Sequence, residues 1–200
     1  RIFNDEHGQV WCGSAIGPLV RFDKSKGTSE IIKDEAGADI LATSFCLDNH
    51  GQMLIATTYG LVCCKDGYHC QRLLTPHPLA SQMLISLCFD NKKNILLVGY
   101  QKSIALFDPK NDSLYHIGNS EHGRNMMVKS TMLDDMGNFW ISTSEGISKL
   151  SVVRNKEDHL TYTMRNYTRK EGLYNIFFNA QSVTQTDQGE ALFGGTEGIT

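Results

Sequence analysis

Short apolar runs separated by polar turns fill this chain from one end to the other. Typical first runs are QVWCGS, QMLIAT, NILLVG and NFWIST, and the runs that follow them include LVRFD, LVCCK, IALFD and ISKLS. Runs of this length, bounded by Gly, Asn and Asp, are typical of β-strands joined by hairpins, and apolar residues at helical spacing are nearly absent. The pattern therefore predicts an all-β chain.

The predicted strand pairs belong to a unit that the chain repeats. Each unit begins with a D-x-x-G turn, in which the Asp side chain bonds its own backbone and the Gly adopts a positive φ. The leading aspartates recur at intervals of 43, 42 and 44 residues: Asp5, Asp48, Asp90 and Asp134. A fifth turn, TDQG, begins at Thr186 after a longer interval. A period of about 40–45 residues is typical of propeller blades.

Turn glycines mark the same positions in most units. They stand nine residues apart in four copies: Gly8 and Gly17, Gly51 and Gly60, Gly137 and Gly146, and Gly189 and Gly198. The third copy has Lys93 and Lys102 at these positions. A run before each Asp and a last run such as SLYHIG bring the count to four strands a unit.

Four antiparallel strands in about 43 residues predict the blade of a β-propeller. A blade has two apolar faces that it can bury only by stacking on its neighbours. We place the blades at residues 1–41, 42–83, 84–126 and 127–176, with a partial fifth blade at 177–200.

The repeat also carries a recognisable motif. The pattern D-x-x-G-x-[VF]-W-x-x-[ST]-x-x-G-[IL] resembles the two-component regulator propeller repeat, with Trp11 and Trp140 at its tryptophan. The stretch from Tyr167 to Thr200 resembles the special last blade of such propellers. The resemblance implies a seven-bladed propeller, so we expect an incomplete set of blades, four and part of a fifth, cut at both ends from a longer chain.

The resemblance also implies a function. Such propellers form the periplasmic sensor region of hybrid two-component systems in polysaccharide-degrading gut bacteria. By analogy, this region would be a soluble periplasmic domain that recognises an oligosaccharide and regulates glycan-utilisation genes. The parent sensor would be anchored in the membrane, would self-associate as a homodimer, and would carry its histidine kinase elsewhere in the chain.

Composition narrows the possible partners. The chain has 200 residues, of which 40% are hydrophobic and 20% charged, with a net charge of −3. These values are typical of a globular protein, and the charge gives no attraction to nucleic acid. No apolar stretch approaches the ~20 residues that a membrane-spanning helix needs.

Ligands usually meet propellers on a face made of loops, which the blades hold rigidly. In the usual strand order, the second hairpin turn of each blade and the connection to the next blade share one end, here called the loop face. We expect nine ligand-binding candidates there: Tyr59, Tyr100, Lys102, His77, His122, Arg124, Asn125, Glu145 and Tyr174. Aromatic rings with Arg, Asn and His donors suit a polyhydroxylated or sulfated sugar, although each residue also fits a plain exposed loop position.

The two tryptophans and the turn histidines have simpler interpretations. Trp11 and Trp140 occupy the same place in a strand among apolar neighbours, which favours packing between blades over sugar stacking. His7 and His50 precede the turn glycine in equivalent copies, which predicts exposed turn residues rather than ligands.

A cysteine-rich stretch leaves three alternatives open. CCKDGYHCQRLLTPH brings together Cys63, Cys64, His69, Cys70 and His77, but the spacing matches no zinc template. A turn at residues 65–68 would place Cys63 opposite Cys70, close enough for a cross-strand disulfide, and buried free thiols are the third alternative. We expect no metal and no cofactor.

Two other classes of function compete with a sensor. A propeller glycoside hydrolase or polysaccharide lyase would need paired carboxylates, or an Asp, Tyr and His group, in one pocket. Since the repeat assigns each leading Asp to its own turn, we predict no enzyme activity in this region. A protein-interaction scaffold is the second rival, although the signature of WD-type propellers is missing.

Overall fold

The computed structural model describes residues 1–5, 7–65, 69–74, 76–117 and 127–200, and these residues form antiparallel sheets in chain order. Blade 1 consists of β1 (Ile2–Asn4), β2 (Gln9–Cys12), β3 (Leu19–Asp23) and β4 (Thr28–Ile32). Blade 2 consists of β5 (Ala42–Leu47), β6 (Met53–Thr57), β7 (Gly60–Lys65) and β8 (His69–Arg72). Blade 3 consists of β9 (Leu84–Asp90), β10 (Ile95–Tyr100), β11 (Ile104–Asp108) and β12 (Ser113–Ile117).

The last two sheets follow the same plan. Blade 4 consists of β13 (Val128–Leu133), β14 (Asn138–Thr143), β15 (Gly146–Arg154) and β16 (Leu160–Tyr167). Blade 5 consists of β17 (Phe178–Gln185), β18 (Ala191–Gly195) and β19 (Gly198–Ile199). A 3₁₀ helix (Arg169–Glu171) lies between them, and no helix in the described ranges is long and apolar enough to cross a membrane.

The described residues form five blades, one for each copy of the repeat. Blades 1 to 4 each contain four strands, and in blade 5 the strands β17, β18 and β19 pair in order. The prediction of an incomplete set, four blades and part of a fifth from a seven-bladed propeller, is therefore wrong. The number seven came from the resemblance to a family, and no residue of this chain required it.

The chain divides into two compact units, Arg1–Leu87 and Cys88–Thr200, each with its own core. In the first unit, Trp11 of blade 1 packs in one cluster with Phe45, Ile55 and Val62 of blade 2. In the second unit, one cluster joins blades 3 and 4 and another joins blades 4 and 5. The facing sides of neighbouring blades thus form the core, as stacking of repeats requires.

The central strands are buried on both faces. Every residue of β6 and β10 is buried, whereas β4, the fourth strand of blade 1, is mostly exposed. A strand covered on both sides needs no polar face, which explains why these segments read as continuous apolar runs.

The D-x-x-G turns form as the sequence predicts. Asp5 accepts hydrogen bonds from the backbone N–H groups of His7 (3.0 Å) and Gln9 (2.8 Å), and Asp48 repeats this pattern in blade 2. The first glycine of each such turn takes a φ between +74° and +84°, as at Gly51 and Gly189. This left-handed conformation is the one that glycine adopts at least cost.

The third copy makes its first turn without glycine. Asn94, with a φ of +54°, adopts the left-handed conformation instead. Lys93 pairs with Asp90 at 2.6 Å and donates to the carbonyl of Gly137 at 2.7 Å, in the first turn of blade 4. The lysine that replaces the glycine therefore links two neighbouring blades.

Candidate functional site

On the loop face, the same backbone hydrogen bond joins the two kinds of loop in several blades. In three blades, the residue before the first strand accepts a bond from the second hairpin turn of the same blade. The pairs are Thr58 N to Leu41 O (3.3 Å), Ser144 N to Met127 O (2.9 Å) and Thr196 N to Phe177 O (3.0 Å). The incoming connection and the second turn therefore lie side by side at one end of blades 2, 4 and 5.

Two glycines let the chain that leaves the blade approach the same second turn. Gly60 and Gly146 have φ values of +126° and +136°, which side chains rarely adopt. A Cβ on Gly60 would lie 2.9 Å from the carbonyl oxygen of Leu79, and one on Gly146 would lie 2.1 Å from that of Tyr167. The second-turn glycines thus leave room for the outgoing connection.

In the first unit, Tyr59 is held by the connection from blade 1. Its hydroxyl donates to the carbonyl of Asp39 (2.7 Å) and accepts from the N–H of Leu41 (3.4 Å). The guanidinium of Arg72 lies 3.6 Å from the ring centroid. Burial raises the pKa of the Tyr59 phenol, against the opposing effects of the Leu41 N–H and the Arg72 cation. The Tyr59 side chain thus links blade 2 to the connection from blade 1; we call this arrangement the Tyr59 clamp.

Arg72 is a residue that sequence reasoning missed. Its guanidinium forms an ion pair of 2.6 Å with Asp34, whose carboxylate is buried. Nothing in the local sequence separates this arginine from other strand-end cations, because its partner lies in a different blade. Arg72 and Asp34 fix the Tyr59 clamp rather than present a free binding group.

His77 lies next to the second turn of blade 2. Its Nδ1 accepts from the N–H of Leu79 at 3.1 Å, and Ala80, three residues further on, forms a β-bridge with Gly60. The imidazole therefore stabilises the connection on which it lies.

In the second unit, Tyr100 is buried rather than presented to solvent. Only 5% of its surface is exposed, and its hydroxyl has no hydrogen-bond partner in the described part of the chain. Burial raises the pKa of Tyr100 to about 12. Its neighbour Lys102 is exposed in the turn between β10 and β11.

Glu145 and Tyr174 are exposed on blade 4 and on the connection that leaves it, respectively. Phe177, which sequence reasoning missed, is exposed on the same connection as Tyr174. His122, Arg124 and Asn125 lie outside the described residues. The structure thus places Tyr59 and His77 on two segments that meet at the second turn of blade 2, and it places Tyr174 and Phe177 on one connection in the second unit.

The tryptophans contact the cores of their own units. Trp11 is fully buried in the cluster between blades 1 and 2, and Trp140 is partly buried against the cluster between blades 4 and 5. The indole N–H of Trp11 donates to Asp5 (2.9 Å), and that of Trp140 donates to Asp134 (2.8 Å). The first aspartate of the motif therefore orients the tryptophan six residues later.

The cysteine-rich hairpin contains a disulfide between Cys64 and Cys70. The prediction that Cys63 faces Cys70 is wrong by one residue, because Lys65 pairs with His69 and the turn is shorter than assumed. Cys63 faces Gln71 on the opposite side of the sheet as a free cysteine, and burial raises the pKa of its thiol to about 11. Among the described residues, no group of three or more His, Cys, Asp or Glu side chains could hold a metal ion.

No protein-family model matches this chain, and no curated protein matches it in sequence. Its fold is similar to that of the extracellular domain of the one-component system BT4673 from B. thetaiotaomicron, with a TM-score of 0.72 over 99% of this chain at 15% identity. It is also similar to the extracellular domain of the hybrid two-component system BT3049 from the same species, with a TM-score of 0.68 over 99% at 14% identity. The chain spans 26% and 32% of these two solved chains.

An enzyme shares the fold as well. A catalytically inactive virginiamycin B lyase from Staphylococcus aureus, solved with quinupristin, has a TM-score of 0.61 over 96% of this chain and 61% of its own, at 11% identity. At such identities the likeness establishes a β-propeller and nothing finer. The resemblance to sensor propellers seen in the sequence is confirmed as a likeness of fold.

Proposed function

We propose that this chain is the extracytoplasmic propeller of a carbohydrate-responsive sensor of the two-component type. It binds an oligosaccharide on the loop face, and the parent protein, anchored in the membrane and paired with a second copy, passes the signal to a kinase. The observation that carries this proposal is the likeness, over 99% of the chain, to the extracellular domains of the one-component system BT4673 and of the hybrid two-component system BT3049.

The disulfide supports a location outside the cytosol. Cys64 and Cys70 are both buried in the core of the first unit. Stable disulfides of this kind form and persist in oxidising compartments such as the bacterial periplasm.

The use of the turn carboxylates supports binding rather than catalysis. Asp5 and Asp134 hold the tryptophans of their blades, Asp48 bonds its own turn, and Asp90 pairs with Lys93. Each of these carboxylates already has a structural role within its own blade. A glycosidase would need two that converge on one bond of the substrate.

Calorimetry with panels of neutral and sulfated oligosaccharides tests the proposal, followed by mapping of the contacts by NMR. We expect saturable binding with contacts at the second turns and the connections between blades. Contacts confined to the opposite end of the blades, around Gly8, Gly51 and Gly137, would contradict it.

The likeness to a lyase makes an enzyme the alternative to exclude. Incubation of the purified chain with the same glycans should give no new reducing ends and no unsaturated products. Cleavage that disappears on a single Asp→Asn substitution would refute the sensor proposal.

A further inference from the structure

The connection from blade 4 to blade 5 presents two large aromatic side chains to solvent. Tyr174 is 80% exposed and Phe177 is 54% exposed. Aromatic rings of this size usually contribute to a core, and neighbouring exposed ones commonly mark a binding site. These two rings are here called the aromatic platform.

Buried anchors hold the backbone of this connection in place. Asn175 is 1% exposed; its side chain accepts from the N–H of Phe177 (2.9 Å) and donates to the carbonyl of Gly198 (3.3 Å). Phe178, the next residue, is buried in the cluster between blades 4 and 5. Asn175 and Phe178, which each follow a platform residue, are therefore fixed to blade 5. These anchors hold the backbone in a conformation that exposes Tyr174 and Phe177.

Blade 5 is shaped to receive the Asn175 anchor. A Cβ on Gly195 would lie 1.9 Å from the side-chain nitrogen of Asn175 and 2.5 Å from the carbonyl oxygen of Phe177. The glycine thus leaves the space that the connection occupies. The N–H of Thr196 then bonds the carbonyl of Phe177 at 3.0 Å, which places the second turn of blade 5 directly beside the platform.

Two carboxylates lie in the second turns of blades 4 and 5, whereas the cations Arg169 and Lys170 lie in the 3₁₀ helix at the start of the connection. Glu197 follows Thr196 in the second turn of blade 5 and is exposed. Glu145 occupies the same position in the second turn of blade 4, one residue before the equivalent glycine, and it is exposed too. Carboxylates accept hydrogen bonds from sugar hydroxyls, and they repel sulfate and uronate groups.

We infer that the aromatic platform is a subsite for a neutral sugar ring. Tyr174 and Phe177 stack on the apolar C–H face of the ring, and Glu197 accepts hydrogen bonds from its hydroxyls. This inference rests on the proposed function and makes it narrower, since it selects uncharged oligosaccharides from the polyhydroxylated and sulfated sugars that the loop face suits in general.

The test measures binding of short neutral oligosaccharides, namely glucans, mannans and galactans, to the full 200-residue chain by calorimetry. We expect Tyr174→Ala and Phe177→Ala each to weaken binding by about tenfold, which corresponds to about 1.4 kcal/mol of lost stacking. Tyr174→Phe should bind like the parent chain, because it keeps the ring. Tyr162→Ala is the matched control, since Tyr162 is 46% exposed on β16, away from the connection.

A spectroscopic signature separates stacking from a general loss of structure. Sugar C–H protons over an aromatic face should shift upfield in the NMR spectrum on binding, and this shift should become smaller in Phe177→Ala and in Tyr174→Ala. The melting temperatures of the two alanine variants should stay close to that of the parent chain, because both side chains are exposed.

The outcomes distinguish this inference from the proposed function. Binding of a neutral sugar that neither alanine variant weakens would overturn the platform and leave the sensor proposal standing. Preference for sulfated or uronic oligosaccharides would overturn the neutral subsite and direct attention to the cations Arg169 and Lys170. No binding of any glycan would refute both.

Discussion

Blades 1 and 4 carry the same tryptophan motif, yet they place it in different surroundings. In both, the tryptophan faces a cation on the third strand, and that cation faces a charged residue on the fourth strand. We call each set of three cross-strand neighbours a row. The row of blade 1 consists of Trp11, Arg21 and Glu30, and the row of blade 4 consists of Trp140, Lys149 and Arg165.

In the first row, Trp11 and Arg21 are buried, and Arg21 pairs with Glu30, whose side chain is half exposed. The guanidinium of Arg21 lies 5.5 Å from the centroid of the Trp11 ring and forms an ion pair with Glu30. In the second row, the Lys149 ammonium lies 5.2 Å from Trp140, but the fourth-strand residue is a second cation. Arg165 lies over Tyr167, 5.0 Å from its centroid, and Trp140 stacks on that tyrosine at 5.8 Å.

The difference shows what a repeat motif specifies. The hydrogen bond from the indole to the turn aspartate is local, and it forms in both blades. Burial and charge balance depend on the fourth strand and on the neighbouring blade, which the motif does not include. A shared motif therefore predicts the position of a side chain better than its contribution to stability.

The largest expected effect is the loss of the buried tryptophan. Trp11→Ala should lower the free energy of unfolding by about 3–5 kcal/mol, because the side chain fills a closed core. Trp140→Ala should cost clearly less, because part of that ring already contacts solvent. Chemical denaturation of both variants measures the two values, and equal costs would show that the two rows are energetically alike.

Next in size is the disulfide, which lies in the same core as Trp11. Replacing Cys64 and Cys70 by Ser should lower the free energy of unfolding by about 2 kcal/mol, since the closed loop is short. Hydrogen exchange should accelerate around Trp11 and stay unchanged around Trp140. Cys63→Ser is the control, because that thiol forms no disulfide; an equal effect there would contradict the Cys64–Cys70 pairing.

Exchanging the fourth-strand charges should have opposite effects in the two rows. Glu30→Gln removes the ion pair between the buried Arg21 and the half-exposed Glu30 and should destabilise the chain by about 0.5–1 kcal/mol. Arg165→Glu places an acid opposite Lys149 and should stabilise it by about 0.2–1 kcal/mol. Thermal unfolding at low and high salt measures both, and a stabilising Glu30→Gln would show that the first pair is not favourable.

The smallest effect concerns acid pH. Burial raises the pKa of Asp134, but hydrogen bonds from Asn138 and from the Trp140 indole outweigh it, so the pKa lies below the ordinary 3.8. The stability from this carboxylate is therefore present above the unfolded pKa, near pH 4, and is lost as pH falls through the lowered folded pKa. Fluorescence of Trp140 in a Trp11→Phe background should change over this range. A matching change in Asp134→Asn would exclude Asp134 as its source.

The sequence was sufficient for the blades because their signals are local. The first turns of blades 1, 2 and 4 are each formed by an aspartate and a glycine within four residues, and the strands by apolar runs between turns. The number of blades is not local information: the expectation of seven depends on a family resemblance, whereas the described residues form five sheets.

The finer contacts depend on register and on neighbouring blades. A turn longer by one residue would place Cys63 instead of Cys64 opposite Cys70, and the sequence CCKDGYHC does not determine the length of the turn. Likewise, Phe177 and Phe178 are adjacent identical residues, and the contacts of this connection with Asn175 and with blade 5 decide which one is exposed.

The turn of the third blade has a practical consequence for counting repeats. Asn94 adopts the left-handed backbone conformation that glycine adopts in the other first turns. Lys93, which stands at the position of the glycine, donates a hydrogen bond to the carbonyl of Gly137 in the next blade. A search that looks for paired glycines would pass over this copy, although its sheet is as regular as its neighbours. Chains of this kind are better compared by the spacing of their buried strands, because one conformational requirement can be met by more than one residue type.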